Sequence, residues 1–76
     1  MRFEVVNGQF GFLGKVEERP NIEKAIELLL NEINSLGCIE DDECDGRLEI
    51  SYEYDMDEYN VSNIKDIWKR IKKEFK

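Results

Sequence analysis

Histidine is absent from this chain, and with it the side chain that most often serves as general base near neutral pH. No Ser–His or Cys–His nucleophile pair can therefore be built. The two cysteines, Cys38 and Cys44, cannot supply a four-ligand zinc set unless carboxylates or a second chain help. No apolar run approaches the roughly 20 residues that a membrane span needs. Met1-Arg2 leads straight into strand-like alternation with no apolar leader core. The expected compartment is the cytoplasm, with both thiols reduced rather than joined. Asn60-Val61-Ser62 fits a glycosylation acceptor, but without secretion it carries no weight. Gly8, Gly11 and Gly14 lack the Gly-Lys-Ser/Thr ending of a phosphate loop, and hairpin geometry accounts for them better.

Basic residues are also scarce: 11 Lys and Arg stand against 18 Asp and Glu, for a net charge of −7 and a pI near 4.5. The field is repulsive to phosphate, so neither direct nucleic-acid binding nor an anionic membrane is expected. The length of 76 residues implies one domain, 1–76, with one modest core. A core of that size leaves little room for a pocket lined by convergent polar groups. No enzymatic activity, cofactor or resident metal is expected.

What the chain has in plenty is acid in one place. Ten of the eighteen acidic residues lie between Glu40 and Glu58, where Arg47 is the sole base. Residues 1–39 carry −2, residues 40–58 carry −9 and residues 59–76 carry +4. The domain is thus an electric dipole. Within the acidic stretch, Arg47 to Asp55 alternates polar and apolar, the period of a half-buried strand. Leu48, Ile50, Tyr52 and Tyr54 point one way, and Arg47, Glu49, Ser51, Glu53 and Asp55 the other.

Before that strand, Asn7-Gly8 signals a hairpin with a two-residue type I′ turn. Such a turn sets Val6 opposite Gln9, Val5 opposite Phe10 and Phe3 opposite Phe12. It gathers those apolar residues on one face, with Met1 and Val16 continuing it. Glu17-Glu18-Arg19-Pro20 reads as a connection, with Asn21 as N-cap of a helix. Apolar residues at Ile22, Ala25, Ile26, Leu29, Leu30, Ile33 and Leu36 form its stripe, Leu28 falls outside it, and Gly37 ends it. Residues 38–46 read as an acidic loop that turns at Asp45-Gly46. A second helix over about 61–75 is capped by Asn60, or alternatively Ser62. Its stripe is Ile64, Ile67, Trp68, Ile71 and Phe75. Lysines cover its remaining surface, a solvated face rather than a nucleic-acid grip. Tyr52, Tyr54, Tyr59 and Trp68 are read as core, not as a stacking platform.

The expected fold class is α+β: a two-layer sandwich of order β-β-α-β-α. Its three-stranded sheet is the N-terminal hairpin plus a third strand, with two helices on one face. The favoured strand order is 2-1-3 with the third strand parallel to the second, and 1-2-3 is the alternative. The other sheet face would then be open to water.

The expected function follows from that open face: a small acidic protein-binding module, an inhibitor or adaptor that docks on a basic protein surface. The residues expected to carry it are Glu4, Glu40, Asp41, Asp42, Glu43, Asp45, Glu49, Glu53, Asp55, Asp57 and Glu58. Carboxylates in such an array can imitate a phosphate track and compete for the groove of a nucleic-acid-binding protein. Small phage-encoded antagonists of host defence, of the anti-CRISPR and anti-restriction kind, share this size and charge by analogy of class. Two alternatives remain. One is a structural homo-oligomer built through Leu28, Leu13, Val6 or an open strand edge, so the chain is expected as monomer or homodimer. The other is weak calcium binding within 41–53. There Asp41, Glu43, Asp45 and Gly46 partly match an EF-hand loop, but Tyr52 stands where the bidentate Glu belongs.

Overall fold

The computed structural model describes residues 1–34, 37–54 and 59–75. Leu36, Asp55, Asp57 and Glu58, to which the sequence assigned core or site roles, lie outside them. The described chain forms β1 (Arg2–Val6), β2 (Gln9–Lys15), α1 (Arg19–Ile33), β3 (Ile39–Cys44), β4 (Arg47–Glu53) and α2 (Val61–Lys72). Short 3₁₀ turns at Val16–Glu18 and Lys73–Phe75 precede α1 and follow α2.

The class is α+β as expected, with one sheet and two helices, but the sheet has four strands and the order is β-β-α-β-β-α. The acidic segment read as a loop is strand β3. Asn7-Gly8 and Asp45-Gly46 are the reason for both hairpins. All four residues hold positive φ (49°, 80°, 52° and 76°), the conformation a two-residue I′ turn demands. The β1–β2 register is the one the first turn imposes, with Val6 opposite Gln9 and Phe3 opposite Phe12.

The favoured strand order is overturned. The sheet runs β1-β2-β4-β3 and is antiparallel throughout, so residues 47–53 pair directly with β2 rather than with β1. That neighbour relation is the 1-2-3 alternative, with direction reversed from the parallel arrangement expected. The physical cause is β3: α1 carries the chain across to β3, which runs parallel to β2 one strand away, and the Asp45-Gly46 turn then reverses the chain so that β4 enters antiparallel between them. β4 and β2 carry full apolar faces and take the centre. β3 has no such face and takes an edge, where charge also discourages further strand addition.

Both helices bury their stripes on one face of the sheet. Phe10, Phe12, Leu48, Ile50, Tyr52 and Tyr54 meet Ile22, Ala25, Ile26, Leu29 and Ile33 of α1 and Ile64, Ile67 and Ile71 of α2 in a single core. Phe3 stacks on Trp68 at 5.2 Å, Phe12 meets Trp68 edge-on at 5.0 Å, and Phe10 stacks on Tyr52 at 5.3 Å. The aromatics are core, as read. Met1 and Val16, expected on this face, remain over a third exposed: both lie beyond the paired strands, and Val16 begins the turn into α1. Leu28 and Leu30 are half-buried at its margin.

Helix ends moved slightly. α1 begins at Arg19, not Asn21; Pro20 sits in the first turn, where a missing N–H costs nothing. The helix stops before Gly37: Asn34 adopts the left-handed conformation (φ 51°) and its N–H donates to the Leu30 carbonyl at 2.7 Å. Asn60 caps α2 as read, its side-chain oxygen accepting the Asn63 N–H at 2.8 Å.

One core group is poorly served. The Tyr54 hydroxyl is buried without a hydrogen-bond partner among the described residues, and burial pushes its phenol above the usual range. An unsatisfied buried hydroxyl costs about 1–3 kcal/mol. Tyr54→Phe should therefore raise stability by about 1 kcal/mol in a denaturant titration. A loss of stability would mean that the hydroxyl has a partner.

Candidate acidic docking face

The face of the sheet away from the helices is built from alternate residues of all four strands. Reading across β1, β2, β4 and β3, one row holds Glu4, Gly11, Ser51 and Glu40. The next holds Arg2, Leu13, Glu49 and Asp42. Val6, Gln9 and Glu53 lie at one end, and Lys15, Arg47 and Cys44 at the other. Glu4, Glu40, Asp42, Glu49 and Glu53 are all exposed on this face. Asp42 and Glu49 are directly opposite one another, an arrangement of like charges that a sheet does not favour by itself. Neither makes an ion pair among the described residues. Glu53 accepts a bond from Gln9 Nε2 at 3.0 Å, and Glu4 accepts one from Arg2 at 2.7 Å.

The acids of β3 are not all on this face. The strand period sends Ile39, Asp41 and Glu43 to the helix side, opposite Tyr52, Ile50 and Leu48. There the Arg19 guanidinium engages three carboxylates at once. Its Nε donates to Glu23 at 2.9 Å, Nη1 to Glu43 at 2.7 Å and Nη2 to Asp41 at 2.5 Å. The hydrogen bonds to Glu23 and Asp41 lift the Arg19 pKa above even its usual high value. Asp41 and Glu43 are thus removed from the expected docking set: they face away from the open sheet and are already paired. Asp45 lies in the β3–β4 turn, at the rim. The role of Arg19 was invisible in sequence, where it read as part of a connection.

The same geometry bears on the calcium alternative. Asp41, Glu43 and Asp45 lie along a straight strand and its turn rather than around a loop, and Arg19 already occupies two of these carboxylates. Among the described residues no group of three or more potential ligands is placed to hold a metal ion.

Arg19 also has a mechanical role, because it ties the edge strand to α1. Arg19→Gln should speed hydrogen exchange at the β3 amides while leaving β4 and α1 protected. Unchanged β3 exchange would show that the hairpin alone holds the strand.

In the middle of the open face Gly11 has no side chain, which leaves a notch of about 150 Å³. Val6 and Leu13 give it apolar walls, and Glu4, Glu49, Gln9 and Ser51 supply its polar rim. Val6 is 60% exposed. Apolar walls under a carboxylate rim suit a side chain with an aliphatic stem and a cationic head.

On the far side of the molecule α2 and the turn after it present Lys65, Lys69, Arg70, Lys72 and Lys73, all exposed. The fold thus sets the basic helix and the acidic strands on opposite sides of the core. No described helix is long and apolar enough to cross a membrane. Comparison of the chain with family models, with curated proteins and with solved structures finds no match.

Proposed function

We propose that this protein is a binding module that docks on a basic protein surface through the helix-free face of its sheet, and that it does no chemistry of its own. The supporting observation is the notch at Gly11, set between Glu4 and Glu49, with Asp42 opposite Glu49 and without an ion pair among the described residues. A lysine or arginine of the partner would lay its stem along Val6 and Leu13 and place its head between the carboxylates. Glu40, Asp42 and Glu53 would steer the approach and set orientation. The most concrete partner is the Lys/Arg groove of a nucleic-acid-binding protein, for which carboxylate rows stand in for phosphates. The protein would then act as an inhibitor, in the manner of small phage-encoded antagonists.

The working residues are Glu4, Glu40, Asp42, Glu49 and Glu53. The test is affinity capture from the cells that encode the protein, at about 0.05 M and about 0.5 M salt, beside the Asp42→Lys/Glu49→Lys variant. A basic partner retained by the wild type at low salt, and lost both at high salt and by the variant, is the expected result. A partner held equally by the variant would remove the open face as the docking surface.

A further inference from the structure

One corner of the open face has the opposite sign. Lys15 and Arg47 are directly opposite across β2 and β4, and Arg2 lies on the same face, opposite Leu13 in the next row. With Leu13, Gly14, Glu18 and Leu48 these three cations line a recess of about 300 Å³. The recess exists because β1 pairs with β2 only as far as Arg2 and Leu13, so Gly14 and Lys15 have no strand partner on that side. The one carboxylate in it, Glu18, is held by the Met1 amino group at 2.5 Å, a contact that keeps its pKa below the usual range. Arg2 gives one nitrogen to Glu4. Neither Lys15 nor Arg47 makes an ion pair among the described residues.

Two like charges facing each other across a ladder weaken it, and an anion seated between them reverses that term. The rest of the molecule is acidic, yet at physiological salt charges beyond about 8 Å are largely screened, so the nearby groups set the local field: Arg2, Lys15, Arg47 and the Met1 amino group against Glu4 and Glu18. We propose that this corner is a binding site for the phosphoryl dianion of a small phosphorylated molecule, adjoining the acidic docking rows and sharing Arg2 and Leu13 with them. A guanidinium fork and an ammonium suit a tetrahedral group with several charged oxygens. A carboxylate, with a single charge, would leave part of the cation cluster uncompensated. Leu13 supplies apolar wall for the remainder of the molecule.

The site is tested with inorganic phosphate, titrated at constant ionic strength against sodium chloride and followed in amide proton–nitrogen NMR spectra. The expected result is saturable shifts at the amides of Gly14, Lys15 and Arg47 that acetate reproduces more weakly. Lys15→Gln/Arg47→Gln should bind phosphate at least about tenfold less tightly, the loss that removing one charge-assisted bond produces. Phosphate should raise the Tm of the wild type but not of this variant, whose fold is relieved of the repulsion. Shifts matched by chloride, shifts kept by the variant, or shifts centred on the α2 lysines would each overturn the site.

Discussion

Phe12→Ala should bring this domain close to its unfolding threshold. Phe12 is fully buried on β2 and touches three other rings: Phe3 at 5.2 Å, Phe10 at 6.3 Å and Trp68 at 5.0 Å. It is the residue through which the sheet meets α2 and β1 together. Truncating a buried phenylalanine costs about 3–5 kcal/mol, from lost transfer energy plus the cavity left behind. A 76-residue domain has in total about 4–11 kcal/mol of stability, at roughly 0.05–0.15 kcal/mol per residue. The variant should show a large fall in denaturant midpoint with little change in slope. Val6→Ala, on the open face, is the control and should change stability by less than about 0.5 kcal/mol. If Phe12→Ala costs under about 1 kcal/mol, the core does not close over β2 as described.

Gly37→Ala should be the next most damaging change, although Gly37 is exposed. It lies between α1 and β3, where the chain crosses close to the end of β4. A Cβ there would overlap the Glu53 carbonyl oxygen and come within 2.9 Å of Tyr52 Cε1. The carbonyl is backbone and cannot swing aside, and the Tyr52 ring is packed on Phe10. The chain must therefore shift, at a cost near the top of the usual range of about 1–3 kcal/mol for overpacking. For a domain of this size that is a fall in Tm of about 10 °C or more. Gly14→Ala is the contrast. There the nearest atom is the end of the Glu18 side chain, which can move, and the buried Ile22 Cδ1 at 3.2 Å need give by only a few tenths of an ångström, so the loss should be smaller. Equal losses at the two positions would mean that no close crossing exists at Gly37.

Gly37 also shows where sequence reading reaches its limit. As the glycine directly after an apolar stripe it reads as a helix terminator, yet the helix ends at Asn34 and the glycine is needed for passage beside β4. Steric approach between segments distant in sequence leaves no local signature. The candidate site divides in the same way. That Glu49 and Glu53 face away from the core follows from Leu48, Ile50 and Tyr52 alone, because side chains in a strand alternate. Which acids of residues 40–43 join them does not follow. Glu40-Asp41-Asp42-Glu43 contains no apolar residue to mark a side, and aspartate and glutamate are poor strand formers, so the segment looks like loop.

By itself, then, the sequence determined the first hairpin and its register, the two helical stripes, the sheet face that is buried and the separation of acid from base along the chain. Each depends on local turn chemistry or on an apolar period, and both can be read from neighbours. Pairing decided the rest: that residues 39–44 form a fourth strand, that β4 lies beside β2, that Asp41 and Glu43 turn inward to Arg19 while Glu40 and Asp42 face water, and that Lys15 meets Arg47. These are relations between segments far apart in the chain. Hydrogen bonding to a partner strand imposes them, and no stretch of sequence carries them alone.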